Sequence, residues 1–462
     1  MKSSLKSEAM TKIWSGGVSE EAGKDLSDIM TVVDTQIDSM LLDYEIVSLL
    51  AYQLQLRKES IISTEDSDAI LSGLLRLLGN KVAIDPAVED VHGFVEEYLK
   101  GNGGNAYKNL RIFLSRNEQS HMDIKSFYID HLLKISQYLT TLSETMMTRK
   151  GDFSGAMPGY THNRQAMPVM ISTYFDYFSR IFLDMSLDAL DISEKFTAIS
   201  PLGYGSGFGS FSPIDFKTVA KNLGFKSNAQ NPMAGSFYRG IDDLDVSTLL
   251  LRIMIFLSKI SQDFISFSAG DAAFLIIPDG FSTGSSLMPN KRNPDFLEMV
   301  QGYASESIGH YVSTATILMN KGSGYHREFQ ASKDKTIEFV ILCEKILSHF
   351  QDFMLEFKLD EKKATDSMEN SINATAEAFS IFQAGKPWKD SYTVVGEKIR
   401  KDIPLDYHKP PEFASVSSQE ILYAKEKRMK LLNSWRMPRE DVLLRAKDII
   451  KNKSLAEKIL KD

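Results

Sequence analysis

The chain has 462 residues and carries 53 basic against 61 acidic side chains, a formal net charge of −8. That balance excludes a broad phosphate-binding surface and argues against nucleic acid as a partner. Hydrophobic residues at 43% and charged ones at 25% are ordinary for a globular protein long enough for about three folded units.

Cys343 is the single cysteine, so an internal disulfide and a thiolate zinc cluster are both excluded. The opening MKSSLKSEAMTKIW lacks the apolar core of a signal peptide. No stretch approaches the roughly 20 apolar residues a membrane span needs. A cytoplasmic protein is therefore expected, with no membrane association.

Apolar residues return every three or four positions along most of the chain, which predicts an all-α fold. The first hundred or so residues hold shorter helices, among them an acidic stretch at 88–97, VEDVHGFVEE, that places Asp90, His92 and Glu96 together. Glycines at 101–104 break the pattern, SRNEQ follows at 115–119, and a long helix is predicted over 122–148. Residues 157–168, MPGYTHNRQAMP, read as a turn leading into a second long helix over 168–199, with Thr161 and His162 near its start.

The run PLGYGSGFGS at 201–210 is a candidate mobile or ligand-facing loop. A third long helix, 246–268, is apolar nearly all the way round, as expected inside a bundle or between subunits. Further long helices are predicted over 294–319 and 334–357, and four or five helices of this length, joined by short links, read as a central bundle. After about Lys362 the character changes, with an irregular DIPLDYHKPPEF before a Lys-rich C-terminal helix. The expected division is 1–112, 113–364 and 365–462.

The most informative chemistry lies at 284–298, GSSLMPNKRNPDFLE. Its glycine permits many backbone angles and Pro289 ends them, so the loop can close over a ligand. It delivers Lys291 and Asn293 just before a helix that begins near Pro294. A cation, an amide and backbone N–H groups suit proton abstraction beside a carboxylate, where a doubly charged aci-carboxylate must be stabilised. A loop serine serves as base only if the same field stabilises its alkoxide.

Alone, this loop reads equally well as a polar surface turn, and His162 as one of eight ordinary histidines. Near a helix start, however, backbone N–H groups can hold an anion and tune an imidazole. Arg116 in SRNEQ and Lys333 in YHREFQASK (325–333) are suited to carboxylate recognition.

Taken together, the five segments resemble the fumarase/aspartase superfamily, whose signature is similar to GSSLMPNKRNP. PGYTH, VEDVH, SRNEQ and the Tyr325/Gln330/Lys333 spacing resemble its argininosuccinate lyase branch, in the same chain order and from about Ile13 to Val395. The resemblance implies a three-domain fold whose central bundle builds a homotetrameric core, each site shared between subunits, and a small-molecule substrate. It implies cleavage of argininosuccinate to arginine and fumarate, in arginine biosynthesis, with no metal or organic cofactor.

It further implies Ser285 as the base that removes the Cβ proton. His162 is its partner on the leaving-group side, oriented by Glu298. Lys291 and Asn293 stabilise the aci-carboxylate. Asn117 and Thr161 hold the succinyl part with Ser115 and Arg116 beside them, and Tyr325, Gln330 and Lys333 contact the remainder. Asp90 and His92 belong to the same substrate-binding set.

Several positions depart from the family pattern. Phe113 and Leu114 replace a glycine and an arginine, Asn163-Arg164 replaces Leu-Gln, Ala331-Ser332 replaces an acidic pair, and Tyr52 stands for a histidine. The elimination machinery keeps its residue types while the leaving-group readers change. Two alternatives follow: another fumarate-releasing lyase, acting on adenylosuccinate or another N-substituted aspartate, or an inactive structural homologue.

Overall fold

The computed structural model describes residues 37–85, 88–102, 104–270 and 273–459; the opening segment read above lies outside them. Fourteen α-helices are described, among them α1 (Leu42–Lys58), α2 (Thr64–Leu77), α3 (Val91–Asn102) and α4 (Arg116–Arg149). The bundle continues with α5 (Ile171–Phe196), and the short α6 (Phe216–Asn222) and α7 (Pro232–Phe237) then precede α8 (Ile241–Phe267). Next come α9 (Asp295–Leu318), α10 (Phe329–Glu356), α11 (Glu361–Asp366), α12 (Ala374–Gln383), α13 (Trp388–Arg400) and α14 (Ser418–Ile459).

The long helices α4, α5, α8, α9 and α10 pack side by side. They share a core that includes Phe127, Leu139, Phe175, Phe182, Ile253, Phe264, Phe339 and Phe350. Small hydroxyl residues line the seam between α4 and α5: Ser186 Oγ lies 2.8 Å from Ser136 Oγ and 2.7 Å from Thr140 Oγ1. Their size lets the two helices approach, and each buried hydroxyl finds a partner.

The start of α4 follows from local chemistry. Ser115 caps it by accepting from Asn117 N at 3.3 Å, and Glu118 Oε1 accepts from Ser115 N at 2.8 Å, completing a capping box.

The helix expected over 168–199 instead begins at Ile171. Residues before it form an antiparallel hairpin of β1 (Ala156–Thr161) and β2 (Arg164–Met170), with a register shift between Gly159 and Tyr160. A two-stranded hairpin is marginal alone, and α11 braces this one. Glu361 Oε2 accepts from Gly155 N at 2.6 Å, and Thr365 Oγ1 donates to Ala156 O at 3.2 Å.

Helix α8, apolar nearly all round, turns most of its surface into the bundle, with Ile255 46% exposed. More apolar surface stays open on α9, where Met299, Ile308 and Val312 are each about half exposed.

After α11, a small separate core of Ala378, Val395 and Leu405 joins the helices α12 and α13. Helix α14 then returns to the main core through Leu431, Trp435, Val442 and Ala446, and packs against α1, α2, α4, α5 and α6. Trp435 is fully buried, and its Nε1 donates to Asp130 Oδ1 at 3.0 Å.

Candidate active site

The signature segment forms a tight flap. Thr283–Gly284 pair antiparallel with Arg292–Asn293, and the residues between them close the loop. Ser285, half buried, accepts from Leu287 N at 3.3 Å and Met288 N at 3.0 Å through its Oγ. Lys291 is exposed, and Leu287 at the tip is 84% exposed. Asn293 Nδ2 points back toward Gly284 O at 3.5 Å, and Thr283 hydrogen-bonds Asp295 at the start of α9. Helix α9 begins at Asp295 with Glu298 exposed in its first turn, as the sequence predicts.

The hairpin carries the second group. His162 and Asn163 form its two-residue tip, with φ of 52° and 56°. Positive φ at both positions is the type I′ geometry that matches strand twist. Thr161 and His162 are therefore exposed at a hairpin tip and not at a helix N-terminus, a correction to the sequence reading. The reason is tertiary: Gln165 Nε2 donates to Ser367 O at 2.7 Å and its Oε1 accepts from Glu369 N at 2.8 Å, holding the strands out against the segment after α11.

The third group gathers around the start of α4. Arg116 Nη1 lies 3.0 Å from Asp90 Oδ2 and 3.5 Å from Glu89 Oε2, and Arg327 Nη2 reaches Glu89 Oε1 at 2.8 Å. Burial works to raise the Asp90 carboxyl, but the charges of His92 and Arg116 and the Gly93 N–H hold it below its ordinary value. Lys333 is buried with its Nζ 2.7 Å from Asp38 Oδ1, and Asp38 Oδ2 accepts from Val91 N at 3.0 Å.

His92, nearly fully buried, faces Glu45 Oε1 at 3.0 Å and Asp123 Oδ2 at 3.9 Å. Burial, Glu45 and Asp38 push the Asp123 carboxyl well above the carboxylate range. Tyr325 and Gln330 are half buried at and just before the start of α10, Tyr325 edge-on to Phe329 at 5.9 Å. Buried Arg239 sits among Asp243, Tyr325, Tyr204 and Tyr128.

Sequence reasoning missed the group that shapes this third cluster. Glu118 is fully buried, and its Oε2 accepts from Gly203 N at 2.6 Å and Gly205 N at 2.9 Å. It joins the cap of α4 to the glycine-rich loop. The capping-box spacing Ser-x-x-Glu at 115–118 was the available signal. Asp38, the buried partner of Lys333, left none.

Within one chain the flap, the hairpin tip and the α4 cluster are thus held by three different sets of elements. The flap carries a hydroxyl and a cation, the hairpin tip an imidazole, and the α4 cluster the cations Arg116 and Lys333 in ion pairs with Asp90, Glu89 and Asp38. These groups stand on a bundle of five long helices, and the class of the protein, a helical lyase, follows from the family it matches.

A family model described as Lyase matches residues 42–309. An argininosuccinate lyase of Thermotoga neapolitana is 30% identical over 401 residues, covering 85% of this chain and 99% of that protein. Another, of Geotalea daltonii, is 29% identical over 413 residues, covering 85% and 88%. The chain belongs to the lyase family of the fumarase/aspartase superfamily, as a divergent member of its argininosuccinate lyase branch.

Solved structures share the fold. EDDS lyase in complex with formate superposes with a TM-score of 0.68 at 18% identity, over 92% of each chain. A class II fumarase from Schistosoma mansoni gives 0.67 at 14%, over 88% of this chain and 91% of that one.

Proposed function

We propose that this enzyme cleaves argininosuccinate by β-elimination to arginine and fumarate. The observation that carries this reading is the flap: a serine and a lysine on a tight exposed loop, in a chain 30% identical to an argininosuccinate lyase across 85% of its length.

Ser285, as alkoxide, removes the Cβ proton, and the electron pair moves into the neighbouring carboxylate to give the aci-carboxylate. Lys291 and Asn293 oppose that charge. The pair then returns to form the Cα–Cβ double bond, the C–N bond breaks, and His162 supplies a proton to the departing guanidino nitrogen. Fumarate and arginine result, with Ser285 protonated and His162 deprotonated. Glu298 orients His162. Asn117, Thr161, Ser115 and Arg116 hold the succinyl part, Tyr325, Gln330 and Lys333 meet the arginine part, and Asp90, paired with Arg116, and His92 complete the substrate-binding set.

The three groups meet when copies of the chain assemble, and a homotetramer is the expected form. Two observations support it: the separate elements holding the groups, and the half-exposed apolar side chains of α9, more than a lone subunit leaves in water without a partner. Among the described residues no helix is long and apolar enough to cross a membrane. The proposed setting is cytoplasmic arginine biosynthesis, and the proposed division remains 1–112, 113–364 and 365–462, with α14 returning to the main core.

The direct test offers purified protein argininosuccinate and adenylosuccinate in parallel and follows fumarate by its ultraviolet absorbance. Fumarate from argininosuccinate is the expected result. Release from adenylosuccinate alone would move the enzyme to another branch, and release from neither would leave a structural homologue.

A further inference from the structure

The glycine-rich run 201–210 has no part in the elimination described above, yet it lies between two of the segments that bind substrate. Ser206 Oγ is 3.0 Å from Ser115 Oγ. One residue on, a Cβ placed on Gly207 would come 3.6 Å from the Cα of Gly324, the neighbour of Tyr325. The loop therefore spans from the start of α4 to the start of α10.

Its shape is held from inside. Glu118 grips the N–H groups of Gly203 and Gly205 with one carboxylate oxygen and that of Ser115 with the other. Tyr204, fully buried, brings its hydroxyl to 3.0 Å from His121 Nδ1 and 3.2 Å from Asn117 O. Other residues cannot replace the glycines. Gly205 has φ of 61° and a Cβ there would meet Gly209 O at 2.6 Å, while Gly207 has φ of 110° and a Cβ would meet Ser236 Oγ at 3.0 Å. What this rigid turn presents outward beside Ser115 is Ser206, an exposed residue.

We propose that Ser206 is a further substrate-binding residue, its hydroxyl pairing with that of Ser115 to hold one carboxylate of the succinyl part, and that Glu118 is the positioning residue that sets their spacing. This rests on the lyase reading above. Two neighbouring hydroxyls suit a carboxylate, whose two oxygens each accept one bond and replace the contact the hydroxyls make with each other. Glu118 acts through backbone N–H groups and touches no substrate. Its two carboxyl oxygens accept from three backbone donors, which an amide side chain of the same length, with a single oxygen, could not serve together.

The test measures KM and kcat for argininosuccinate, and fumarate affinity by calorimetry, in wild type, Ser206→Ala, Ser206→Thr, Glu118→Gln and the double variant Ser206→Ala/Glu118→Gln. Loss of one hydrogen bond to a charged carboxylate should raise KM and weaken fumarate roughly ten- to hundredfold in Ser206→Ala with kcat little changed, and Ser206→Thr should restore both. Glu118→Gln puts an amide donor against the loop's N–H groups and should show the same loss. Removing Ser206 in that background should then add little, because the two act as one unit.

Wild-type KM and fumarate affinity in Ser206→Ala would overturn the contact. Full additivity, or a Glu118→Gln enzyme with unchanged KM, would overturn the positioning role. A wild-type protein that binds fumarate but does not cleave argininosuccinate would sink the functional reading while leaving Ser206 testable by fumarate binding.

Discussion

Lys333 and Asp38, separated by nearly the whole length of the bundle in sequence, form an ion pair at 2.7 Å with both side chains about 95% buried. Asp38 also accepts from the first N–H of α3, so one carboxylate ties α3 to α10. Both helices carry or adjoin residues of the α4 cluster, and the pair sets where they stand relative to one another.

Replacing one member of such a pair leaves the other charge buried against its desolvation cost. Asp38→Ala should therefore lower stability by about 3–5 kcal/mol, since Asp334 at 3.4 Å is a poorer partner for Lys333. Urea unfolding followed by circular dichroism measures the loss. A change within about 0.5 kcal/mol would mean that the pair contributes nothing net.

Ser285→Ala should reduce kcat by about 10²- to 10⁴-fold, the range typical of a lost general base. Stability should be unaltered, because the hydroxyl accepts from N–H groups of its own flap alone among the described residues. Turnover at the wild-type rate would remove Ser285 from the chemistry.

Because the flap and the hairpin tip are held by different elements, inactive Ser285→Ala and His162→Asn proteins should complement each other. Mixing them under conditions of subunit exchange, confirmed by mass spectrometry of mixed oligomers, should restore part of the activity. Exchange without recovery would place the whole site within one chain.

His121 predicts a pH dependence of stability. Burial lowers its pKa from the ordinary 6.5 to about 4, while Asp242, 3.0 Å from its Nε2, pulls the other way. The folded protein thus holds His121 neutral where the unfolded chain would protonate it. Its contribution is complete above pH 6.5 and is lost as pH falls toward about 4. Denaturant midpoints measured across that window should fall less steeply in His121→Asn than in wild type. Parallel curves would assign the acid sensitivity to other groups.

Much of the fold was legible from local pattern. Helix α9 begins and ends within a residue of its predicted bounds, where Pro294 marks the break, whereas α4, α8 and α10 end where expected but begin five or six residues earlier, because their polar first turns, the Ser115 cap among them, carry no apolar periodicity. The flap was legible too, since glycine, proline, lysine and asparagine specify a tight turn wherever it lies. The 156–170 hairpin was not. Pro158 and Pro168 stand opposite each other in it, and prolines count against strands.

The sequence by itself determined the long amphipathic helices, the composition of the flap and the branch of the family, since each is written in neighbouring residues. Tertiary structure alone decided that His162 sits on a hairpin tip braced by α11, that Lys333 takes Asp38, and that Glu118 closes the glycine loop onto Ser115. Those outcomes join residues tens to hundreds of positions apart. Which carboxylate meets which donor depends on helix packing, and packing depends on the summed burial of the whole core.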